Sequence, residues 1–245
     1  MPRFAFALVL FAAPLLLSAQ TFTYTFSDVT TGSGLSSPGG EMAELSFSSF
    51  TAAGLSDNSN AAGVFAFRDW DTGASNGSDA FSGSLNTAKY YEFTVTPGDG
   101  FSYTLTTLAF SAGRTSTGPR QFVVRASHDG FSANLPGTAT APVALSSDVF
   151  QFTDNGSTNL ISGQSVTLGG DAFSDLTMPT TFRFYALDSE STVGAFRLDN
   201  VSIYATTAAT AVPEPSSYAA ACGVIALGAT VWVRRRRKCA DSLSR

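Results

Sequence analysis

The sequence predicts an all-β chain whose main domain is a sandwich of about ten strands, and three observations predict it. Between Thr21 and Ala205, short runs alternate Phe, Tyr, Val or Leu with polar residues, the period of a strand that buries one face. Gly, Ser, Asn and Asp separate the runs, as turns require. No window sustains a helical apolar stripe over three turns. Short strands with one apolar face each bury those faces by packing two sheets together or by closing a barrel. The 21 Phe then mainly fill the core.

In chain order, Met1-Pro2-Arg3 carries a positive charge, Phe4 opens an apolar stretch, and Leu17-Ser18-Ala19 ends it on a small residue. This is the form of a secretory signal peptide over 1–19, cut after Ala19. Strands are expected at Phe22-Tyr24-Phe26, Leu45-Phe47, Phe65-Phe67, Tyr91-Phe93-Val95 and Phe101-Tyr103-Leu105. Further strands are expected at Phe122-Val124-Ala126, Phe150-Phe152, Val166-Leu168, Phe182-Phe184 and Phe196-Leu198. Two places break the period: Leu105 passes to Leu108 and Phe110, and Leu198 passes to Val201 and Ile203. A one-residue slip turns every later side chain to the wrong face, so bulges are expected near Thr106 and at Asp199-Asn200. The runs Thr181 to Leu187 and Gly194 to Ile203 read as a closing hairpin. Past Ala205 the residues are small and featureless, so the exported domain is expected over 20–205 and a linker over 206–215.

The tail has three parts in order: Pro213-Glu214-Pro215, an uncharged run over 216–233, and Arg234-Arg235-Arg236-Arg237-Lys238. Eighteen residues at helical rise span about 27 Å, close to the hydrocarbon thickness of a bilayer, which predicts a transmembrane helix. Cations beyond it resist translocation, which places the basic tail 234–245 in the cytoplasm and the chain before Pro213 outside. These parts resemble the PEP-CTERM sorting signal of Gram-negative bacteria that make exopolysaccharide. The resemblance implies that Pro213, Glu214 and Pro215 are read by a membrane-embedded cysteine protease, exosortase. An inner-membrane-anchored precursor would then be released or transferred to the cell surface or medium. An ordinary single-pass anchor is the alternative. The resemblance covers the tail alone.

Between positions 20 and 215 there are 18 acidic and 7 basic residues, a formal charge of −11 where the whole chain carries −5. Such a surface disfavours nucleic acid as a partner. Cys222 and Cys239 both lie in the tail region, so the exported domain has no disulfide, no thiol nucleophile and no Cys-ligated zinc.

The last predicted strand, apolar-x-apolar-Asp199-Asn200-Val201-x-apolar, resembles the closing strand of jelly-roll domains common in carbohydrate-binding modules and exported bacterial sandwiches. That resemblance implies a jelly-roll-like fold and a role for Asp199 at a structural calcium; a solvated bulge Asp is the plainer reading. Asp71-Thr72-Gly73-Ala74-Ser75 looks like the catalytic loop of retropepsin-type proteases, yet no second Asp-Thr/Ser-Gly exists in the chain. The same stretch places Asp69, Asp71, Asn76 and Asp79 in a Gly-rich loop suited to calcium, although a hydrophilic turn fits better because Gly73 breaks the EF-hand pattern. His128, the only histidine, sits between Ser127 and Asp129, where adjacency along the chain works against a triad. Glycoside hydrolysis needs two carboxylates across a cleft, and Glu41, Glu44, Glu92 and Glu190 form no glucanase strand pattern. Trp70, Tyr90 and Tyr91 stand in or beside polar segments and are the candidates for stacking sugar rings, with core or rim packing as the plainer role. The expectation is an exported, non-catalytic surface or matrix protein that binds exopolysaccharide; the alternative is a secreted glycan- or peptide-cleaving hydrolase.

Overall fold

The computed structural model describes residues 18–29, 36–37, 39–42, 44–57, 62–154, 159–210, 223–228 and 231–232. Sixteen strands form among them. The first eight are β1 Ser18–Tyr24, β2 Ser36–Ser37, β3 Gly40–Met42, β4 Leu45–Phe47, β5 Phe50–Ala53, β6 Ser56–Asp57, β7 Phe65–Arg68 and β8 Tyr90–Pro97. The rest are β9 Phe101–Arg114, β10 Pro119–Ala126, β11 Gly137–Thr138, β12 Ala144–Ser146, β13 Val149–Gln151, β14 Ile161–Thr167, β15 Thr180–Ser189 and β16 Phe196–Ala209. All ten expected runs fall wholly or largely in strands. The additional six are two to four residues long and lie in Ser-, Thr-, Ala- or Gly-rich sequence without a repeating apolar period.

The strands make two antiparallel sheets. One runs β11-β14-β9-β16-β7-β6 with β1 also on β16; the other runs β12-β13-β10-β15-β8-β4-β3 with β5 on β8 and β2 on β5. From β7 to β10 the chain changes sheet at every step, so consecutive strands face one another across the core rather than pairing side by side. Aromatic rings close the gap between the layers. Phe65 meets Tyr91 at 4.9 Å, Phe122 meets Phe196 at 5.0 Å and Phe110 meets Phe184 at 5.2 Å, and all six are buried. Offset and edge-on ring pairs of this kind add about 0.5–1.5 kcal/mol each to the burial of their area.

The expected closing hairpin is not formed. β15 pairs with β8 and β10, and β16 pairs with β1, β7 and β9 in the opposite sheet. Each strand has neighbours on both edges, and the 190–195 connection crosses from layer to layer. Both expected bulges are present. Between Asp199 and Ser202, β16 advances three residues while β9 advances two, and Asn200 takes φ 49° to absorb the surplus. Between Tyr204 and Ala205 the surplus lies on β9, at Thr106.

The ends of the domain differ from expectation. β16 runs on to Ala209, four residues past the expected boundary, because Thr206, Thr207, Ala208 and Ala209 pair with Thr104, Tyr103, Ser102 and Phe101. Small side chains conceal a strand there that its partners hold in place. β1 begins at Ser18 and so takes in the last two residues before the expected cut. Gln20 Nε2 then donates to Glu44 Oε2 at 2.7 Å and to Thr207 Oγ1 at 3.1 Å.

The chain divides into two compact units, Met1–Ala209 and Thr210–Arg245. In the second, 223–228 and 231–232 are helical, within the span expected to cross a membrane. Among the described residues no helix is long and apolar enough to do so. Pro213, Glu214, Pro215, the cluster Arg234 to Lys238 and residues 1–17 lie outside the described residues.

Candidate functional site

The expected site residues converge on the 69–89 loop between β7 and β8, and the fold separates them. Trp70 is wholly buried: its Nε1 donates to the Phe67 carbonyl at 2.8 Å, and its ring meets Tyr91 and Phe196 edge-on. Tyr91 is wholly buried too. Its hydroxyl accepts the N–H of Phe67 at 2.8 Å and donates to the carbonyl of Phe196 at 2.8 Å, fastening β8 to both β7 and β16 across the sandwich. Burial pushes its pKa well up. Neither ring has a face to offer a sugar, which corrects the expectation for this pair; their polar tips are satisfied inside, so a polar flank in sequence does not mean exposure.

Two of the three loop carboxylates, those of Asp71 and Asp79, already have partners. Asp71 Oδ1 is 2.5 Å from Lys89 Nζ and its Oδ2 accepts from Asn86 at 2.7 Å, and the bond from Lys89, followed by that from Asn86, holds the carboxyl below the usual range. Lys89 also donates to the Asp69 carbonyl. Asp79 pairs with the buried guanidinium of Arg120. Asp199 accepts from Asn200 N at 2.8 Å and Asn200 Nδ2 at 2.9 Å, and burial raises its pKa. Leu198 lies opposite Phe65, so the ladder sets Asp199 and Asp69 five residues apart, on the order of 15 Å at strand rise. Calcium ligands lie 2.3–2.6 Å from their ion. Asp199 therefore does not join Asp69 and Asp71 at one cation, and among the described residues no three His, Cys, Asp or Glu side chains gather at a metal-binding distance.

Catalytic arrangements fare no better among the described residues. Ser127 Oγ accepts the N–H of Thr181 at 3.0 Å. Asp129 is bound to Ser132 and to the N–H of Ala133, bonds that lower its pKa against the opposing effect of burial. His128 packs edge-on against Phe173 at 4.8 Å. These three do not form a triad. Asp79, Asp154 and Glu190 all lie on Arg120, Asp154 at 2.6 Å and Glu190 at 3.6 Å, and Glu190 also accepts from Arg114 at 2.9 Å, so these carboxylates are held by cations rather than set across a cleft.

Tyr90 alone of the three aromatic candidates stays partly open, on the outer face of the sheet that contains β8, β10 and β15. The guanidinium carbon of Arg183 lies 4.0 Å from its ring centre and 4.0 Å from that of Phe131, so the cation is held between two rings. Arg183 Nε donates to Glu92 at 2.9 Å. Burial works to lower the pKa of Arg183, but the bonds to Tyr185 and Glu92 outweigh it. Arg125 donates from Nε to Asn134 Oδ1 at 2.8 Å and from Nη1 to the Phe131 carbonyl at 2.9 Å. Asn134 also lines a neighbouring groove of about 400 Å³, whose walls include His128, Asp129, Leu135, Pro136 and Phe173. Arg125, Phe131 and Arg183 escaped the sequence reading because their meeting depends on the β10–β15 register and on the turn after Asp129. Arg-x-x-x-x-x-Phe within a turn-rich stretch was the only trace of it.

No family model matches the chain, and neither a curated protein nor a solved structure is similar to it. The functional reading therefore rests on the chain's own residues.

Proposed function

We propose that the chain is an exported surface or matrix protein, sorted through its PEP-CTERM-like tail, whose jelly-roll-like sandwich binds polysaccharide without catalysis. The observation that carries the binding half is the partly exposed face around Tyr90, Arg183 and Phe131 with the groove beside it. Aromatic rings supply stacking area for pyranose faces, and guanidinium and amide groups supply donors for hydroxyls. Strand alternation between the two layers and the bulges of β9 and β16 support the jelly-roll-like reading. The tail supplies the export half: an uncharged apolar run over 216–233, a basic stop, and Pro213-Glu214-Pro215 as the mark for an exosortase-type protease at the inner membrane.

The test is a glycan array probed with the full-length chain in mild detergent, beside Tyr90→Ala and Phe131→Ala. Binding of defined glycans by the wild type, lost in both variants while their melting temperatures hold, supports the reading. Absence of any glycan signal, or binding indifferent to both substitutions, sinks it.

A further inference from the structure

Arg125 and Arg183 stand directly opposite each other on β10 and β15. Their chain neighbours Val124 and Phe184 are wholly buried, so strand alternation puts both arginines on the outer face. Like charges directly opposed across an antiparallel pair are destabilising. One carboxylate answers them: Glu92, next in the same cross-strand row on β8 and bound to Arg183. The row keeps one net positive charge in a stretch, 20–215, that carries −11.

The surroundings hold this pair in place rather than dispersing it. Phe131 adopts φ 62°, a left-handed conformation that bulky residues avoid and that marks a constrained, often functional position. In that conformation its carbonyl meets Arg125 Nη1 and its ring covers Arg183 opposite Tyr90. Asn134 fixes Arg125 Nε. Each guanidinium has five N–H donors, and the described bonds leave several of them for a further acceptor.

We propose that the Arg125–Arg183 pair binds the carboxylates of an acidic polysaccharide, a uronic-acid polymer. This rests on the polysaccharide reading above and narrows it. A planar guanidinium matches a carboxylate through two parallel bonds, and two neighbouring guanidiniums make a cleft for one such group. Around the pair the acidic domain repels a polyanion, so the pair fixes where the polymer sits. Rings beside the cations favour a sugar chain over an acidic peptide, because a pyranose brings a face to stack as well as a charge.

The test measures binding of polygalacturonate, neutral dextran and polyglutamate to the full-length chain in mild detergent. Polygalacturonate is expected to bind best, and to be released as salt rises towards about 1 M. Arg125→Gln and Arg183→Gln are each expected to weaken it about tenfold. Glu92→Gln removes the competing carboxylate and is expected to strengthen it about threefold, a gain that no loss of folding produces. Equal binding of dextran, unchanged in Arg183→Gln, overturns the acidic ligand and leaves the polysaccharide reading standing. No binding of either sugar polymer overturns both. Tighter binding of polyglutamate points to an acidic protein and overturns the proposal, as does a Glu92→Gln variant that binds no better than wild type.

Discussion

Arg120 Nη1 donates to Asp154 Oδ1 at 2.6 Å, and the other oxygen of that carboxylate takes the N–H of Gly77 at 2.7 Å. Through this pair a wholly buried cation holds down the middle of the 69–89 loop, and it also binds the Ser78 carbonyl and Asp79. Gly83 N–H adds a 2.7 Å bond to the buried Asp188. A loop of this length without regular structure is uncommon in a compact domain, and ionic groups anchor its middle where the buried Trp70 anchors its start. Without Arg120, Asp79 and Asp154 reach water and Glu190 keeps Arg114, so the loss is that of the charge-assisted bonds and of the Phe152 and Ser78 carbonyls' donor, about 1–3 kcal/mol. Arg120→Ala is therefore expected to lower the free energy of unfolding by about that amount and to open 69–89 to proteolysis. Chemical denaturation with protease mapping checks both; a loss under about 1 kcal/mol contradicts the clamp.

Tyr91→Phe tests the tie between the layers. The variant keeps the ring and its packing but leaves the Phe67 N–H and the Phe196 carbonyl without a partner inside the core. An unsatisfied buried polar group costs about 1–3 kcal/mol, and that loss should appear in denaturant titration with an unchanged slope. A variant as stable as wild type would mean that the Phe67 N–H and the Phe196 carbonyl bond each other directly once the hydroxyl is gone.

What the sequence revealed follows what it encodes locally. Phe and Tyr at alternate positions announce strands, and a break in that alternation announces an extra residue, so Thr106 and Asn200 were legible before any partner strand was known. Partnership is not local. β15 and β16 look like a hairpin because each alternates and few residues join them, yet pairing edges are chosen by distant strands. Trp70 between two aspartates reads as exposed, because nothing nearby reveals that its indole N–H finds the Phe67 carbonyl. Nothing local marks Arg114 and Arg120 as buried either, because Glu190 and Asp154, which balance them, lie 76 and 34 residues away. The face around Arg183 needed three separate segments to meet.

Asp199 offers a test that separates a bulge residue from a calcium ligand. Burial raises its folded pKa, so ionisation of the carboxyl opposes folding. Its contribution is most favourable below the ordinary carboxylate value and declines as pH rises through the raised folded value. Asp199→Asn keeps one acceptor oxygen, for the Asn200 N–H, gives up the bond from Asn200 Nδ2 and removes the charge. The variant is expected to melt above wild type at neutral pH and to converge with it in acid. With Asp71 taken by Lys89 and Asp79 by Arg120, wild-type melting is also expected to be the same in chelator and in millimolar calcium. A metal bound only by the native state would raise the melting temperature by mass action, and such a rise, lost in Asp199→Asn, would restore the calcium site.

The final prediction concerns the tail and follows from its residues alone. Pro213 and Pro215 each lack an amide donor and fix φ, and each disfavours helix in the residue before it. Those restrictions favour extended over helical backbone at Glu214, and extended chain is the form in which a protease reads a substrate. Replacing Pro213, Glu214 and Pro215 by alanine leaves the apolar run and the cluster from Arg234 to Lys238 intact, so insertion should survive while maturation fails. In the native host the variant is expected to remain full-length in the inner membrane, and the wild type to appear shorter by the helix and tail in outer fractions or medium. A periplasm-dependent reporter should be active when fused before Val212 and silent after Lys238. If reporter activity follows that pattern but both proteins accumulate at one size in one fraction, the segment is an ordinary anchor, and the resemblance to a sorting signal carries no processing here.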